Sequence, residues 1–121
     1  MDKKLNTPYG ELDLKIFTYP NKRIAILLYS SDGELFDDLT INLPNLSING
    51  YDEGFISSNV DMLTTDDFNL MDALIKEGIV ITTYGKRGYN FGSYEYVKFN
   101  MDVLKSYDIE GYTNFIKEVE V

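Results

Sequence analysis

The sequence predicts an α+β fold: an antiparallel sheet of about five strands, with one main helix packed on it and a short C-terminal helix. Residues 11–16 alternate charged and aliphatic side chains, which is the two-residue period of a half-buried strand. Apolar residues recur at three- and four-residue spacing from Phe68 to Ile75, as in an amphipathic helix. A length of 121 residues suits one core, so residues 1–121 are expected to form a single domain.

The strands are predicted from alternation, β-branching and aromatic content. The five predicted strands are residues 11–19, 23–29, 35–43, 79–84 and 93–99. The first three form an antiparallel meander, and the last two form a hairpin joined by a glycine-rich loop over residues 85–92. Residues 1–8 are expected to be a loose lead-in. Residues 44–63 are expected to be a long polar connection with one short extended piece near Phe55.

The main helix is expected to begin at Thr64 or Thr65, because a threonine oxygen can cap free helix amides. The acids that follow favour the positive end of a helix, and Gly78 suits a left-handed cap at its other end. Asn100 is expected to cap a short helix that runs to Lys105. Residues 111–121 fit either a helix or a strand.

Composition excludes several kinds of chemistry. The chain has no cysteine and no histidine, so it has no disulfide, no thiolate nucleophile and no catalytic triad built on histidine. It has no apolar run of about 18 residues that would suggest a membrane span, and its first residues lack the apolar core of a signal peptide. We expect a cytoplasmic protein, with no membrane association and no cofactor.

Two motifs that resemble reactive sites have simpler explanations. Asp37 and Asp38 are adjacent in a predicted strand, so their side chains point to opposite faces. No segment has the register of a calcium loop, although magnesium held by a few acids stays open. The segment from Gly85 to Gly92 lacks the spacing of a phosphate-binding loop, and no helix pattern follows it. We therefore expect no catalytic residue and no metal ligand.

The acids are concentrated in one part of the chain. The formal charge is −9, and the stretch from Asp32 to Glu77 holds eleven acids against one base, Lys76. A field of one sign attracts partners of the opposite sign and repels nucleic-acid phosphates. This pattern favours a protein partner with a basic surface and argues against direct nucleic-acid binding through the acidic face. A surface that serves only solubility is the alternative reading.

Partner-binding residues are predicted from this charge and from the tyrosine content, since tyrosine suits protein interfaces. The acids in this prediction are Asp32, Glu34, Asp37, Asp38, Asp52, Glu53, Asp66, Asp67 and Asp72. Tyr84, Tyr89 and Tyr94, near the predicted hairpin, complete it. The alternative for these tyrosines is that they pack on the sheet. We expect a monomer or a weak dimer.

Short motifs along the chain resemble a family of small bacterial domains of unknown function, found mainly on plasmids, phages and integrative elements. The motifs are Tyr9-Gly10, residues 23–26, Asp32-Gly33-Glu34, residues 39–44, Phe55-Ile56, Ser58-Asn59, Gly85, Gly92, residues 96–99 and Gly111-Tyr112. The sequence departs from the family pattern at Ser58, where an aspartate is usual, and at Glu95, where a proline is usual. The resemblance carries over no catalytic residue.

Small acidic proteins from this setting resemble inhibitors of host defence, including anti-CRISPR proteins that bind the RNA-guided nuclease of type II systems. The resemblance therefore implies a non-catalytic inhibitor that blocks guide RNA or DNA engagement. Such a nuclease holds nucleic acid in basic channels, which an acidic domain can occupy. Two alternatives stay open: an accessory protein of a mobile element that binds a neighbouring gene's product, and a metal-dependent hydrolase of nucleic acid.

Overall fold

The computed structural model describes residues 2–57, 65 and 67–120. This part of the chain forms two antiparallel sheets of four strands each, with three helices, which confirms the α+β class and corrects the number of strands and helices. The strands are β1 (Leu5–Thr7), β2 (Gly10–Thr18), β3 (Ile24–Ser30), β4 (Leu35–Asp38), β5 (Thr40–Ile41), β6 (Glu53–Ile56), β7 (Val80–Tyr89) and β8 (Gly92–Phe99). The helices are α1 (Leu70–Lys76), α2 (Met101–Tyr107) and α3 (Ile109–Val119).

The first sheet has the strand order β1-β2-β3-β4, so the predicted meander of its last three strands is confirmed. Alternating aliphatic residues of β2 and β3 point to one face and are buried there: Leu12, Leu14, Ile16, Ile24, Ile26 and Leu28. Residues 1–8 were expected to be a loose lead-in, but β1 pairs with β2 and places Leu5 opposite Leu12. Burial of the Leu5 side chain draws this polar segment onto the sheet.

The predicted strand over residues 35–43 is wrong as one element, because the chain leaves the first sheet at Leu39. The Leu39 side chain is buried, and its N–H donates to the carbonyl of Ile26 (3.0 Å). The N–H of Ile26 donates to the hydroxyl of Thr40 (2.9 Å), so a side chain takes the place of a strand acceptor. Residues 40–41 then join the second sheet as β5.

The second sheet has the order β5-β6-β8-β7. Strand β6 is an inner strand, whereas the sequence predicted only a short extended piece in a connection. The hairpin of β7 and β8 is confirmed, but its predicted loop is wrong, since β7 continues to Tyr89 and only residues 90–91 turn. Gly85 has a φ of 87° where the pairing shifts register between Thr83 and Lys86. The positive φ of Gly85 therefore accommodates a β-bulge inside the strand.

Helix α1 begins later than the sequence predicted. The Asn69 side chain caps it by accepting from the N–H of Asp72 (3.1 Å), while Thr65 forms an isolated bridge with Phe68. Asparagine is a stronger N-cap than threonine, which gives the physical reason. Thr64 and Asp66 lie outside the described residues. Gly78 has a φ of 76° directly after the helix, as predicted.

Replacing Asn69 by alanine should lower the free energy of unfolding by about 1 kcal/mol, because the capping bond to Asp72 is lost. Urea denaturation would measure the change. Thr65→Ala is the matched control and should have a smaller effect. A larger loss for Thr65→Ala would show that the helix begins where the sequence alone suggested.

The two C-terminal helices follow each other directly. Asn100 caps α2 as predicted, and α2 runs on to Tyr107. The ambiguous tail is helical as part of α3. Leu104 and Phe115 join the core with Leu70 and Leu74 of α1. None of the helices in the described part of the chain has the length and apolar character needed to cross a membrane.

Candidate functional site

The acids that the sequence grouped together lie on several different elements. Asp32 and Glu34 are exposed in the turn between β3 and β4, and Asp38 is exposed at the end of β4. Asp52 precedes β6 and forms an ion pair with Lys98 (3.7 Å). Two more, Asp67 and Asp72, are exposed before and within α1, and Asp66 lies outside the described residues. The segment therefore supplies acids to both sheets and to a helix.

One group of these acids borders exposed apolar side chains on the first sheet. Strand pairing places Asp13, Tyr29 and Leu35 in one row across β2, β3 and β4, and Lys15, Leu27 and Asp38 in a neighbouring row. Leu35 keeps 57% of its surface exposed, and the side chains of Leu27 and Tyr29 are half-buried. We name this group the acidic edge surface: Leu27, Tyr29, Asp32, Glu34, Leu35 and Asp38.

The turn that carries the first acids is held by local hydrogen bonds. The Asp32 carboxylate accepts from the Ser30 hydroxyl and from the N–H of Glu34 (3.3 Å). The hydroxyl bond, followed by the backbone bond, lowers the pKa of Asp32 below its ordinary value. Gly33 between them has a φ of 86°, a conformation that glycine adopts without strain. The turn thus presents a carboxylate that stays charged in mildly acidic solution.

Asp37 and Asp38 point away from each other, as the sequence predicted for adjacent strand residues. Asp38 lies opposite Leu27 on the acidic edge surface, whereas Asp37 lies opposite the inward-facing Leu28. Asp37 is half-buried, and its carboxylate accepts from the N–H of Asp38 (2.8 Å). Of this pair, Asp38 is the acid that the strand register places on the acidic edge surface.

Glu53 was predicted to be a partner-binding acid, but the structure places its side chain inside, with 4% exposure. Its carboxylate accepts from the hydroxyl of Tyr96, from the hydroxyl of Tyr84 (2.9 Å) and from the N–H of Asn49 (2.8 Å). A buried carboxylate needs such partners. Glu53 therefore ties the loop before β6 to the second sheet and is unavailable to a partner unless the fold opens.

The pKa values of this cluster agree with an internal role. Burial raises the pKa of Glu53, but the bonds from Tyr96, Asn49 and Tyr84 outweigh it and leave that pKa below its ordinary value. Burial, and then the bond to Glu53, raises the pKa of Tyr96 to about 12. For Tyr84 the bond to Glu53 is the first cause of a raised pKa. At neutral pH the cluster is one carboxylate held by two protonated phenols.

The three tyrosines of the prediction differ in exposure. Tyr84 is partly exposed and packs on the ring of Tyr96, with ring centres 4.8 Å apart. Tyr89 and Tyr94 are half-buried against a small cluster of Leu43, Phe55 and Tyr96, so for these two the alternative of sheet packing fits their position. Phe91, which the predicted partner-binding residues did not include, is fully exposed at the tip of the β7–β8 hairpin.

No group of three acids within residues 2–57, 65 and 67–120 is arranged to hold a metal ion. The Lys86 and Arg87 pair, which the sequence placed in a loop, lies in strand β7. The Arg87 guanidinium stacks over the ring of Tyr96 at 5.4 Å and donates to the Tyr84 carbonyl (3.1 Å). Arg87 is thus engaged with the sheet itself.

Asp108 has a structural role that the sequence analysis missed. It is the single residue between α2 and α3, and its side chain is 5% exposed. Its carboxylate accepts from the N–H of Gly111 (3.1 Å), which caps α3, and from the N–H of Ile16 (2.8 Å) on β2. The Asp-x-x-Gly spacing fits a helix cap, but no sequence signal indicates the bond to β2.

The fold and the surface together define a small antiparallel α+β domain with an acidic, partly apolar surface. The chain belongs to the family described as domain of unknown function (DUF4313), whose model matches residues 12–119. No curated protein and no solved structure gives a significant match to the chain.

Proposed function

We propose that this chain is a non-catalytic binding protein that docks its acidic edge surface onto a basic surface of a protein partner. The observation that carries this proposal is the strand register, which puts exposed Leu35 opposite Tyr29 and Asp38 opposite Leu27 in the neighbouring row. Asp32 and Glu34 are exposed in the turn that adjoins them. Interfaces commonly combine an apolar centre with a charged rim. A rim of one sign speeds the encounter with a partner of opposite charge.

The specific partner that we propose is the nuclease of a type II CRISPR system, as part of an inhibitor role for a protein of mobile-element origin. The support is the acidic charge and the resemblance described above. Basic channels that hold guide RNA and target DNA are complementary to the acidic edge surface. Binding there would block guide or DNA engagement without any catalytic step.

The first experiment is a titration of the protein into such a nuclease, scored by DNA cleavage, with the protein added before or after guide RNA. We expect cleavage to fall to zero near one equivalent. Dependence on the order of addition would identify the step that is blocked. Full cleavage at excess protein, in both orders and with several such nucleases, would contradict the nuclease as partner.

A charge variant tests the surface itself. Replacing Asp32, Glu34 and Asp38 by their amides should weaken inhibition by about tenfold at low salt and flatten its salt dependence. The matched control neutralises three acids near α1: Asp67, Asp72 and Glu77. Because both variants change the net charge equally, equal losses would show that overall charge matters and that the acidic edge surface does not.

A further inference from the structure

We infer that the cleft between β2 and α3 binds an extended basic peptide segment of a partner, whose backbone pairs with the N–H and C=O of Thr18 at the open end of the β2 edge. The cleft has a volume of about 560 Å³, which lies within the range of ligand-binding pockets. Its lining residues differ from those of the acidic edge surface, which it adjoins at Lys15, opposite Leu27. The inference therefore goes beyond the proposed function, since it adds a second surface and a different mode of recognition.

The far half of β2 has no strand partner on one edge because β1 is short. The pairing of β1 ends at Leu5, opposite Leu12, whereas β2 runs on to Thr18. Beyond Leu12, the described part of the chain puts no strand on this side of β2. Helix α3 covers this side of β2 at Ile16, where the Asp108 carboxylate accepts from the Ile16 N–H (2.8 Å) and Gly111 lies against the Ile16 carbonyl. The edge is therefore open at its end, at Thr18.

The backbone of Thr18 points into this cleft. The N–H of Tyr19 donates to the Arg23 carbonyl (2.9 Å), so odd-numbered residues at this end of β2 face β3. Backbone direction alternates along a strand, and therefore the N–H and C=O of Thr18 face away from β3, as the N–H of Ile16 does. A free strand donor and acceptor of this kind is what an added peptide strand uses.

The helix side of the cleft is acidic. Glu110, Asn114 and Glu118 recur every four residues, so they form one row along α3. All three are exposed and line the cleft. Gly111 and Phe115 lie beside them in the cleft wall. Side chains of the peptide that point toward α3 would therefore meet two carboxylates and an amide, which favours lysine or arginine.

Peptide side chains that point away from α3 would contact an aromatic ring and two lysines. Phe17 is 48% exposed and lines the cleft with Lys15 and Lys22. Successive strand residues point to opposite faces, so peptide residues on this side would pack on Phe17 and avoid positive charge near the lysines. The predicted segment alternates basic residues with apolar ones. A second copy of this chain is a poor occupant, because each copy carries a formal charge of −9.

The test uses a blocked eight-residue peptide of alternating lysine and valine and the ¹⁵N-labelled full chain. On binding, hydrogen exchange of the Thr18 amide should slow by about tenfold or more, since the amide gains a strand partner. Thr18→Pro removes this N–H without removing a bond to β3, and proline is tolerated on edge strands. It should weaken binding by about tenfold, and by clearly more than Thr18→Val, which changes the side chain but keeps the N–H.

Two further measurements examine charge and backbone separately. A Glu110→Gln/Glu118→Gln variant should bind the peptide more weakly, and a glutamate–valine peptide should fail to bind. A lysine–valine peptide methylated at alternate backbone nitrogens should also fail, and this result does not depend on the folding of the Thr18→Pro chain. The variant in which amides replace Asp32, Glu34 and Asp38 should bind the peptide as the native chain does. A loss of inhibition with intact peptide binding would therefore show that the two surfaces act independently.

Several outcomes would overturn the inference. They are equal binding of the methylated peptide, unchanged exchange of the Thr18 amide in the complex, and equal binding of the glutamate–valine peptide. A concentration-dependent dimer that protects Thr18 without peptide would assign the edge to a second copy of the chain instead.

Discussion

Replacing Gly111 by alanine is expected to lower the free energy of unfolding by about 3 kcal/mol, through overpacking and the loss of buried hydrogen bonds. A Cβ at this position would lie 2.6 Å from the Ile16 carbonyl oxygen and would also collide with the Asp108 carboxylate. To relieve the contact, α3 must move away from β2. That movement would stretch the bonds of Asp108 to Ile16 and Gly111 together.

The matched control for this variant is Gly88→Ala. An added Cβ there meets nothing within 4 Å, and Gly88 is an exposed strand residue. Alanine should therefore be neutral or stabilise the chain by about 0.5 kcal/mol. Urea denaturation of both variants measures the difference. Similar stabilities would show that α3 approaches β2 less closely than the structure has it.

This close approach shows what sequence patterns can and cannot predict. The alternation in β2 and the apolar run in β3 predict two neighbouring strands. Such a prediction is possible because the spacing of apolar residues along a short segment indicates which side chains are buried. The cap at Asn100 and the end of α1 at Gly78 are local in the same sense. The contact of Gly111 with β2 joins positions about 95 residues apart along the chain, and no local pattern encodes it.

The errors in the strands have the same origin. Residues 35–43 look like one strand because apolar and β-branched residues recur throughout them without a glycine or proline, yet Leu39 marks the change from one sheet to the other. The change depends on the bond between Ile26 and the Thr40 hydroxyl, which is tertiary. Similarly, Glu53 to Ile56 is too short and too polar at its start to predict an inner strand.

The candidate site was only partly predictable for a physical reason. Charge clustering along the chain predicted acids at a surface, and Asp32, Glu34 and Asp38 are exposed there. Sequence distance does not give spatial distance, so the same reasoning also included the buried Glu53. The apolar part of the surface, Leu27 with Tyr29 and Leu35, became visible only through the register of β3 with β4.

The second large effect is expected at Glu53. Replacing it by alanine should lower the free energy of unfolding at pH 7 by about 3 kcal/mol, because two phenols and a backbone amide lose a charged acceptor in a buried place. Glu53→Gln keeps the shape and an acceptor but loses the charge, so its cost should be about 1–2 kcal/mol. Glu95→Gln, on the same strand as Tyr96, is the control and should change little.

The stability that this cluster provides should fall on both sides of neutral pH, in acid because of Glu53 and in alkali because of Tyr96. The folded-state pKa of Glu53 is lowered from an ordinary value of 4.5, so its contribution is present above that pH and disappears as the pH falls below it. The pKa of Tyr96 is raised from 10.0 to about 12, so its contribution is complete below pH 10 and disappears as the pH rises toward 12.

Denaturation curves of the native chain and of Glu53→Gln, measured from acid to alkaline pH, separate the contribution of Glu53 from that of Tyr96. The native chain should lose stability faster than the variant below pH 4.5, so the difference between them should shrink in acid. On the alkaline side, removing the carboxylate should lower the pKa of Tyr96, which the ¹³C resonance of its phenol carbon would record. A constant difference at every pH would mean that Glu53 contributes through packing alone, and its charge would then have no part in holding the loop on the second sheet.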